Sequence, residues 1–463
     1  MSPYLFFLAL YSLFLIGIGW WTSRQIRGAG DFFVAGRKLS PGFLFATLLA
    51  ANIGAGSTVG AAGLGYEFGF SAWWWVGSAG IGSLLLAIWL GPRIWRIASA
   101  HGLYTAGDYL EYRYGSSVRA TIAILLWVLT LVILAAQLIA MSQILEWVLG
   151  APRWAGALIG GVVMTAYFSA GGLLASAWVN VVQLVVLLLG FAIGVPLALS
   201  IAGGWEAVVA AAPTPEYLDF WAGSGSGIIL VALIVPAFII SPGLLQKAYG
   251  ASSERVLRIG IGIQGLVLLV FALAPPLLGM IARVYIPDLE QVEFAVPTVL
   301  TLGLPTVFGA LGLAAVFSAE VSSADAILFM LSTSLSKDLY KRYVAPEATD
   351  GQVLRVARYA AITGGILGIL LAIIIPTVID SLRIFYSVLS VSLFVPIAFG
   401  LHTRQAGVPE ALSAIGVGIA VLFTVRLSRL SEVSVLLDPT LMGIIASAVA
   451  FFLVFLARQT RIQ

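Results

Sequence analysis

Two carboxylates and two hydroxyls lie close together in an otherwise apolar segment, residues 314–342, which ends in a basic cluster. The carboxylates are Glu320 and Asp325, and the hydroxyls of Ser322 and Ser323 lie between them. An ionisable side chain at the centre of a bilayer costs about 2.5–3.5 kcal/mol on insertion scales, so such residues usually face a protein interior and mark the path of an ion or a substrate. Counted back from the basic cluster at about 1.5 Å per residue, Ser323 and Asp325 lie near the middle of a ~30 Å core.

The same segment has a face of small residues. On a helix, Ala319, Ser322, Ser323 and Ala326 lie on one side, because residues three and four apart are neighbours. Sodium is a hard cation that takes about five oxygens, and hydroxyls combined with free backbone carbonyls can supply them without a fixed charge. The alternative is a packing face whose serines bond back to their own helix. From this helix alone both interpretations stay open.

The elements that must position these residues are membrane helices. The chain has 463 residues, of which 60% are hydrophobic and only 10% charged. This composition predicts an all-α polytopic membrane protein with about thirteen transmembrane helices and no soluble domain. The predicted spans are 4–22, 41–66, 70–92, 119–149, 154–173, 176–200, 225–247, 256–284, 304–335, 353–375, 381–401, 408–427 and 437–457.

The basic residues predict the orientation of these spans. With the N-terminus outside, only five of the 24 Lys and Arg residues fall outside, and the other nineteen, Lys247 among them, fall in inner loops or ends. Such a bias is typical of cytoplasmic loops. We therefore predict a multi-pass protein of the cell (inner) membrane with its N-terminus outside and its C-terminus in the cytoplasm. The residues left outside are Arg153, Arg283, Arg383, Arg426 and Arg429.

Two of the spans contain helix breakers at what should be membrane depth. The second span has two glycines in 52–57, and the seventh has Pro236 followed by Ser241-Pro242-Gly243. Interrupted helices at matching positions of two halves indicate an inverted-repeat transporter with its binding site between the repeats. Glycine for close packing and proline for a simple kink are the alternatives. The predicted arrangement is a first repeat over 41–200, an inverted second repeat over 225–401, one extra N-terminal helix (4–22) and two extra C-terminal helices (408–457).

Four motifs together resemble the sodium/solute symporter family, whose members include bacterial proline, sialic acid, pantothenate and galactose symporters. The motifs are Asp31-Phe-Phe-Val-Ala-Gly-Arg37, Ala50-Ala-Asn-Ile53, Gly171-Gly-Leu-Leu-Ala-Ser-Ala-Trp178 with Gln183, and Ser322-Ser-Ala-Asp325 through Lys337-Asp-Leu-Tyr340. The resemblance implies the LeuT-type five-plus-five fold and Na⁺ as the coupling ion. It also implies that the sodium ligands are the carbonyls of Ala50, Ile53 and Ala319 and the hydroxyls of Ser322 and Ser323.

One position departs from the family pattern. Many members have an acid shortly after the tryptophan of the fifth core helix, where this chain has Asn180. The carboxylate of Asp325 on the eighth core helix could replace it, so Asp325 and Asn180 are expected to line either a second cation site or a buried hydrogen bond beside the first site. In the first case, Asp325→Asn should change the sodium dependence of uptake. The resemblance gives no role to Glu320, which could contact the solute, carry a proton, or be neutral and hydrogen-bonded in a packed interior.

Residues that could bind the solute should lie on the first, second, third, sixth and tenth core helices. For Trp73, an aromatic belt at the membrane surface explains at least part of the tryptophan run at 73–75. The candidates, from geometry and from analogy with the family, are Asn52, Ser57, Trp73, Gln137, Phe238, Ser241 and Tyr386.

The sequence therefore predicts a sodium-coupled symporter that imports a small organic solute by alternating access. An enzyme is disfavoured because no nucleophile and base pair lies at a plausible depth. The glycines at 260–265 fit a nucleotide-binding spacing but open an apolar helix with no preceding strand. The expected partners are the solute, Na⁺ and the lipid bilayer, with no nucleic acid, organic cofactor or obligate protein partner. A proton-coupled symporter that uses Glu320 or Asp325, and a membrane sensor with a transporter-like body, are the alternatives.

Overall fold

The structure is a computed structural model that describes residues 3–23, 40–221, 227–403, 405–428 and 434–460. The predicted motif at 31–37 lies outside these residues, and the side chains of 166–178 are also outside the description. The regular elements of the described residues are helices. The α-helices are α1 (Pro3–Ser23), α2 (Pro41–Asn52), α3 (Val59–Phe68), α4 (Trp73–Leu85), α5 (Gly91–His101), α6 (Ala106–Tyr114), α7 (Ser116–Leu149), α8 (Arg153–Ile201), α9 (Gly204–Ala210), α10 (Gly227–Ile240), α11 (Pro242–Tyr249), α12 (Glu254–Phe271), α13 (Ala274–Tyr285), α14 (Ala295–Leu302), α15 (Thr306–Thr333), α16 (Asp350–Ile374), α17 (Val378–Gly400), α18 (Val408–Ser428) and α19 (Pro439–Gln459).

Length and hydropathy agree with a polytopic membrane protein. Within the described residues, ten helical stretches are long and apolar enough to cross a membrane, and three shorter apolar helices accompany them. The predicted count of thirteen spans stays a prediction. One difference concerns 154–173 and 176–200, which the structure assigns to the single helix α8 of 49 residues, about 73 Å at 1.5 Å per residue. That length is more than twice the ~30 Å core, so α8 is long enough to contain both predicted spans.

Both predicted interruptions are present. The second predicted span consists of α2 and α3, separated by the irregular segment from Ile53 to Thr58. The seventh consists of α10 and α11, which meet at Ser241, where the backbone is extended (φ −53°, ψ 119°). Pro242 follows directly and has no N–H to continue the α10 hydrogen-bond pattern. Pro236, in contrast, lies inside α10 and does not end it.

The helix that carries the opening cluster lies at the centre of the molecule. In the most apolar stretch of α15 and its continuation, 83% is buried inside the protein. The corresponding stretch of α19 is only 28% buried. Helix α15 packs against α1, α2, α7, α8 and α16, while α18 and α19 pack on each other and on α17. The polar residues at 320–325 are therefore surrounded by protein, and the two C-terminal helices lie at the periphery.

A charge network at the end of α15 joins three elements. The π-helical segment Ser334–Val344 continues α15 and carries Asp338. Nη2 of Arg119, at the start of α7, lies 2.7 Å from carboxylate oxygens of both Asp108 and Asp338, and its Nη1 lies 2.5 Å from Glu111. Arg119 is only 7% exposed. From the sequence, Arg119 was only one of the nineteen basic residues expected on the inner side. In the structure its contacts link α6, α7 and the end of α15.

Replacing Arg119 by alanine should destabilise the protein by about 3–5 kcal/mol, because it would leave three neighbouring carboxylates without their buried cation. The apparent midpoint of thermal unfolding of the purified protein in detergent measures this effect. Arg96→Ala is the matched control, since Arg96 has a side chain that is 60% exposed and pairs with Glu254 at 3.3 Å. An exposed pair contributes at most about 1 kcal/mol. Equal midpoints for the two variants would contradict the prediction.

Candidate functional site

Five oxygen atoms converge where the α2–α3 interruption meets α15. The Oγ of Ser322 lies 2.7 Å from the Ala50 carbonyl oxygen and 3.0 Å from that of Ala319. The Oγ of Ser323 lies 3.1 Å from the Ile53 carbonyl oxygen and 3.5 Å from that of Ala50. These are the five residues that the family resemblance implied as sodium ligands. We call this group of five oxygens the oxygen cradle.

The oxygen cradle holds more acceptors than its own donors can serve. The carbonyl oxygen of Ala51 also lies 3.0 Å from Ser323 Oγ, so this hydroxyl is near three carbonyl oxygens. A serine hydroxyl has one proton and can donate it to only one of them. The two serines thus have only two protons for four nearby carbonyl oxygens, and this surplus of acceptors favours occupation by a small cation.

The ligand type indicates which cation fits. All five oxygens of the cradle are neutral, and in the described part of the chain no group of three or more His, Cys, Asp or Glu side chains could hold a metal. Transition metals prefer thiolate and imidazole ligands, and tight calcium sites use several carboxylates. A set of neutral hydroxyl and carbonyl oxygens is suited to a monovalent ion such as Na⁺.

Polar side chains hold the α2–α3 interruption in its shape. The Oε1 of Gln137, on α7, accepts a hydrogen bond of 2.8 Å from the N–H of Ala55. The Oγ of Ser57 donates to the Asn52 carbonyl at 2.8 Å. Backbone groups that lose their helical partners must find others when they are buried. These contacts therefore explain how irregular backbone persists at this depth.

Glu320 contacts the start of the second half-helix. Its Oε1 lies 2.6 Å from the Oγ1 of Thr58, which precedes α3, and Thr58 Oγ1 also lies 2.9 Å from the Gly54 carbonyl. Glu320 is 0% exposed. Of the roles considered for Glu320, this geometry matches a hydrogen-bonded group in a packed interior that fixes α3 relative to α15.

A cavity of about 80 Å³ lies beside the oxygen cradle. Residues from both helix interruptions line it, and further walls come from α7, α10, α15 and α17. Ser323, a member of the oxygen cradle, also lines the cavity. Six of the seven predicted solute contacts are among its lining residues: Asn52, Ser57, Gln137, Phe238, Ser241 and Tyr386.

The cavity combines an aromatic cluster with polar amides. Tyr386 lies at the centre of the cluster, with ring centroids 5.7 Å from Phe238, 5.4 Å from Phe385 and 6.2 Å from Trp75. The Nδ2 of Asn52 is buried and has no hydrogen-bond partner among the residues that the structure describes. Leaving a buried donor unpaired costs about 1–3 kcal/mol. A solute that offers an oxygen acceptor to this amide would recover that free energy.

The seventh predicted contact, Trp73, lies elsewhere. Its indole Nε1 donates to the Leu269 carbonyl at 3.2 Å, and its ring packs on Trp74 and Phe220 with centroids 5.1 Å away in both cases. Trp73 thus belongs to an aromatic cluster with the loop after α9, and it does not line the cavity. The prediction that Trp73 contacts the solute does not fit this placement, because Trp75 is the tryptophan of the run that reaches Tyr386.

Tyr217 fixes the same loop to the end of α3. Its hydroxyl donates toward the carbonyls of Gly65 and Tyr66 at 2.7 and 3.0 Å, at the end of α3. Burial raises the pKa of Tyr217 above its ordinary value of 10 although Arg283 is nearby. The phenol therefore stays a neutral donor at physiological pH, and the loop covers the end of the half-helix whose start contacts Glu320.

Asn180 and Asp325 lie near residues of two other helices, Thr47 on α2 and Lys247 on α11. The Nδ2 of Asn180 donates to the Oγ1 of Thr47 at 3.0 Å. The ammonium of Lys247 donates to the carbonyl of the same Thr47 at 2.8 Å, and Asp325 interacts electrostatically with Lys247. Whether Asp325 and Asn180 hold a second cation stays a prediction, but a lysine lies beside them.

Sequence reasoning missed Lys247 and Thr58. It counted Lys247 among the inner surface charges, whereas the structure buries its side chain to 1% exposure. The available signal was its position: it comes five residues after Pro242 in the half-helix that follows an interruption, where side chains point into the protein. For Thr58, the signal was a hydroxyl directly after the glycine-containing interruption at 52–57; its side chain contacts Glu320 and makes no cap hydrogen bond to α3.

Comparisons with known proteins agree with this geometry. The model of the sodium:solute symporter family matches residues 32–418. The chain is 28% identical to a sodium/glucose cotransporter of Vibrio parahaemolyticus, over 79% of this chain and 73% of that protein. It is 27% identical to a sodium/pantothenate symporter of Escherichia coli K12, over 96% and 94% of the two chains. Among solved structures, a Na⁺-coupled sialic acid symporter in a substrate-bound outward-open state superposes with a TM-score of 0.81, at 16% identity and 96% coverage of each chain.

Proposed function

The chain belongs to the sodium:solute symporter family, and on this premise we propose that it imports a small organic solute together with Na⁺ by alternating access. Members of this family are transporters and not enzymes. The chain is a multi-pass membrane protein, and Na⁺ is its coupling ion. We further propose that the protein lies in the cell membrane with its N-terminus outside and its C-terminus in the cytoplasm, and that its fold is a five-plus-five inverted repeat. We also propose that it needs no organic cofactor and no obligate protein partner.

The observation that carries the proposal is that Ser323 is part of both the oxygen cradle and the cavity wall. Its Oγ is part of the oxygen cradle, and the same residue lines the cavity formed by both helix interruptions. A sodium ion in the cradle would tie α15 to the backbone of 50–53. That backbone continues into the cavity wall through Gly54 and Ser57. Ion and solute would therefore stabilise the same arrangement of the same segment.

This shared segment provides a physical basis for coupling. A ligand shifts a conformational equilibrium only by its different affinity for the two states. If Na⁺ orders the α2–α3 interruption, it forms the wall that the solute needs and so raises the affinity for the solute. The solute must then raise the affinity for Na⁺ by the same factor. We infer that sodium from the outside favours the outward-open form that receives the solute.

The cavity supports a neutral or zwitterionic solute. Among the lining residues that the structure describes, none is Asp, Glu, Lys, Arg or His. An anion would have no fixed cation to meet, and a lone cation would have no carboxylate in the wall. The amides of Asn52 and Gln137 and the hydroxyls of Ser57 and Ser241 would orient polar groups of the solute, and Tyr386 with its aromatic neighbours would pack on an apolar face.

Uptake of a panel of labelled neutral and zwitterionic solutes tests the proposal. The purified protein is placed in proteoliposomes with an inward sodium gradient, and each measurement is repeated with a proton gradient alone. We expect uptake of one solute class under the sodium gradient and only background uptake under the proton gradient. Uptake driven by protons alone would overturn the sodium assignment and favour proton coupling through Glu320 or Asp325.

A further inference from the structure

The two halves of the interrupted second span pack against different parts of the protein. Helix α2, which carries Ala50 of the oxygen cradle, packs on α8, α12 and α15, whereas α3 packs mainly on α13 and α14. At its far end, α3 is fixed to the loop after α9 by the Tyr217 hydroxyl, which donates toward the Gly65 and Tyr66 carbonyls. Packing therefore ties α2 to the helix of the cradle serines and ties α3 to another part of the protein.

One polar contact crosses from α15 to the start of α3. The Oε1 of Glu320 lies 2.6 Å from the Oγ1 of Thr58, which directly precedes α3. Glu320 is the residue after Ala319, whose carbonyl belongs to the oxygen cradle. Both side chains of the contact are 0% exposed. A buried hydrogen bond thus joins the proposed ion site to the second half-helix.

The surroundings of Glu320 show that packing alone does not account for it. Among the described residues, Thr58 is the only hydrogen-bond partner of its carboxyl group, and its Oε2 has none. Burying a carboxyl group costs free energy that a single hydrogen bond offsets only in part. An apolar pair of similar shape at 320 and 58 would avoid this cost, so the contact itself needs a reason.

We propose that Glu320 is a positioning residue for sodium coupling: its hydrogen bond to Thr58 joins α3 to α15, so that the placement of α3 and the occupancy of the oxygen cradle depend on each other. Sodium would hold the backbone of 50–53 against α15, and the Glu320–Thr58 contact extends this hold across the interruption to α3 and its outer loop. Because coupling is reciprocal, the same contact preorganises the cradle for the ion. This inference rests on the proposed sodium site.

The proposed role needs a hydrogen-bond acceptor at position 320 and not a charge. Glutamine offers Thr58 the same oxygen acceptor, so E320Q should keep the sodium affinity within about threefold. Methionine offers no such acceptor, and E320M should bind Na⁺ roughly tenfold more weakly, the order expected when a buried hydroxyl loses its partner. T58S keeps the hydroxyl and should bind normally, whereas T58V keeps the shape, removes the hydroxyl and should lose as much affinity as E320M.

Equilibrium binding of ²²Na⁺ to the purified protein in detergent measures these affinities without knowledge of the solute. E320M/T58V should bind about as weakly as either single variant, because both substitutions remove one and the same contact. The matched control is S332A. Ser332 also lies on α15 and is 0% exposed, but it donates within its own helix, to the Phe329 carbonyl at 3.0 Å. Its removal should leave the sodium affinity unchanged.

A second measurement separates coupling from a merely structural role. The chain contains no cysteine, so S71C introduces a single thiol. Ser71 is 3% exposed and lies in the segment Gly69–Ala72 after α3, which packs against the segment that carries Tyr217. Since sodium is proposed to favour the outward-open form, Na⁺ should speed the labelling of this thiol by a maleimide severalfold. At saturating Na⁺, this response should vanish in E320M/S71C and persist in E320Q/S71C.

The results that overturn the inference differ from those that reject the sodium site. Normal ²²Na⁺ affinity in folded E320M and T58V would contradict the positioning role, as would a labelling rate at S71C that ignores bound Na⁺. Weak binding by E320Q beside normal binding by T58S would assign Glu320 a role through its charge instead. A full labelling response in E320M/S71C would leave the contact a purely structural one.

Absence of any ²²Na⁺ binding by the unsubstituted protein would reject the proposed sodium site itself. Additive losses in E320M/T58V would mean that the two side chains act separately, which also contradicts the inference. Size-exclusion profiles show which variants fold, and T58V, with its nearly unchanged shape, keeps the test decisive if E320M does not.

Discussion

Replacing Ser322 and Ser323 together by alanine is expected to weaken ²²Na⁺ binding by at least about 100-fold. The two hydroxyls supply two of the five oxygens of the cradle. A hydrogen bond or ligand contact to a charged group contributes roughly 1.5–3 kcal/mol, so losing both removes about 3–6 kcal/mol of binding free energy. Three carbonyls would remain, too few for a bare sodium ion. Equilibrium ²²Na⁺ binding in detergent measures this loss directly.

The control for this experiment lies on the same helix. Ser318 is also 0% exposed, but its hydroxyl lies 2.7 Å from the Ala314 carbonyl and 2.6 Å from the hydroxyl of Tyr11, away from the α2–α3 interruption. Ser318→Ala should therefore leave sodium affinity unchanged within about threefold, the value expected for a site outside the cradle.

The double variant also decides between the two interpretations of the small-residue face. Alanine is as small as serine and favours helix formation, so α15 should keep its packing when Ser322 and Ser323 are replaced. If these serines only packed and bonded to their own helix, sodium binding would survive the change. Wild-type affinity in a folded double variant would therefore reject the oxygen cradle as the sodium site.

The helix interruptions and the oxygen cradle could be predicted because their causes are local. Pro242 removes a backbone donor wherever it stands, and glycines in 54–56 lower helix propensity regardless of their neighbours. The spacing of Ala319, Ser322 and Ser323 on one helix face likewise follows from helical geometry alone. Only the prediction that this face meets the carbonyls of residues 50–53 required the family resemblance.

The contacts of the charged residues could not be predicted in this way, because they depend on distant parts of the chain. Glu320 and Thr58 are separated by 262 positions, and Lys247 and Thr47 by 200. The rule that basic residues lie on the inner side predicts on which side of the membrane a loop lies, but it says nothing about a lysine that turns into the protein. Arg119 was placed at the inner surface for the same reason, although three carboxylates surround it.

The tryptophan run shows a different limit. Successive residues on a helix differ by about 100°, so Trp73, Trp74 and Trp75 must face three directions, and Trp75 is the one that packs against Tyr386 in the cavity wall. The rotation of α4 about its axis decides which one, and packing against the loop after α9 sets this rotation: Trp74 Nε1 donates to the Phe220 carbonyl at 3.0 Å. No pattern within the run carries that information.

Replacing Gly54 by alanine is expected to weaken sodium binding by roughly 10- to 100-fold, in keeping with the about 1–3 kcal/mol that overpacking costs. A Cβ atom at this position would lie 2.2 Å from Ser323 Oγ and 2.6 Å from Gln137 Oε1. Neither neighbour can simply turn away, because Ser323 belongs to the oxygen cradle and Gln137 accepts the hydrogen bond from Ala55. The backbone at Gly54 has φ −144°, which other residues adopt, so the requirement for glycine is a requirement for space.

The expected consequence is a separation of α15 and α7 from the interruption. Overpacking of this kind typically costs about 1–3 kcal/mol of stability, and relieving the 2.2 Å contact requires Ser323 Oγ to move away from the carbonyls of the interruption. Gly262→Ala is the matched control, because a Cβ on Gly262 of α12 meets nothing within 4 Å. Equilibrium ²²Na⁺ binding and the apparent thermal midpoint should both fall for Gly54→Ala and neither should fall for the control.

A second substitution separates the clash from the loss of a ligand. Adding Ser323→Gly to Gly54→Ala removes the side chain that the new methyl group would strike, so part of the thermal stability should return. Sodium binding should stay weak, because the Ser323 hydroxyl is gone from the cradle. Normal sodium affinity in Gly54→Ala alone would mean that α15 and the interruption can move apart without loss of the ion, and that result would contradict the close approach on which the proposed site depends.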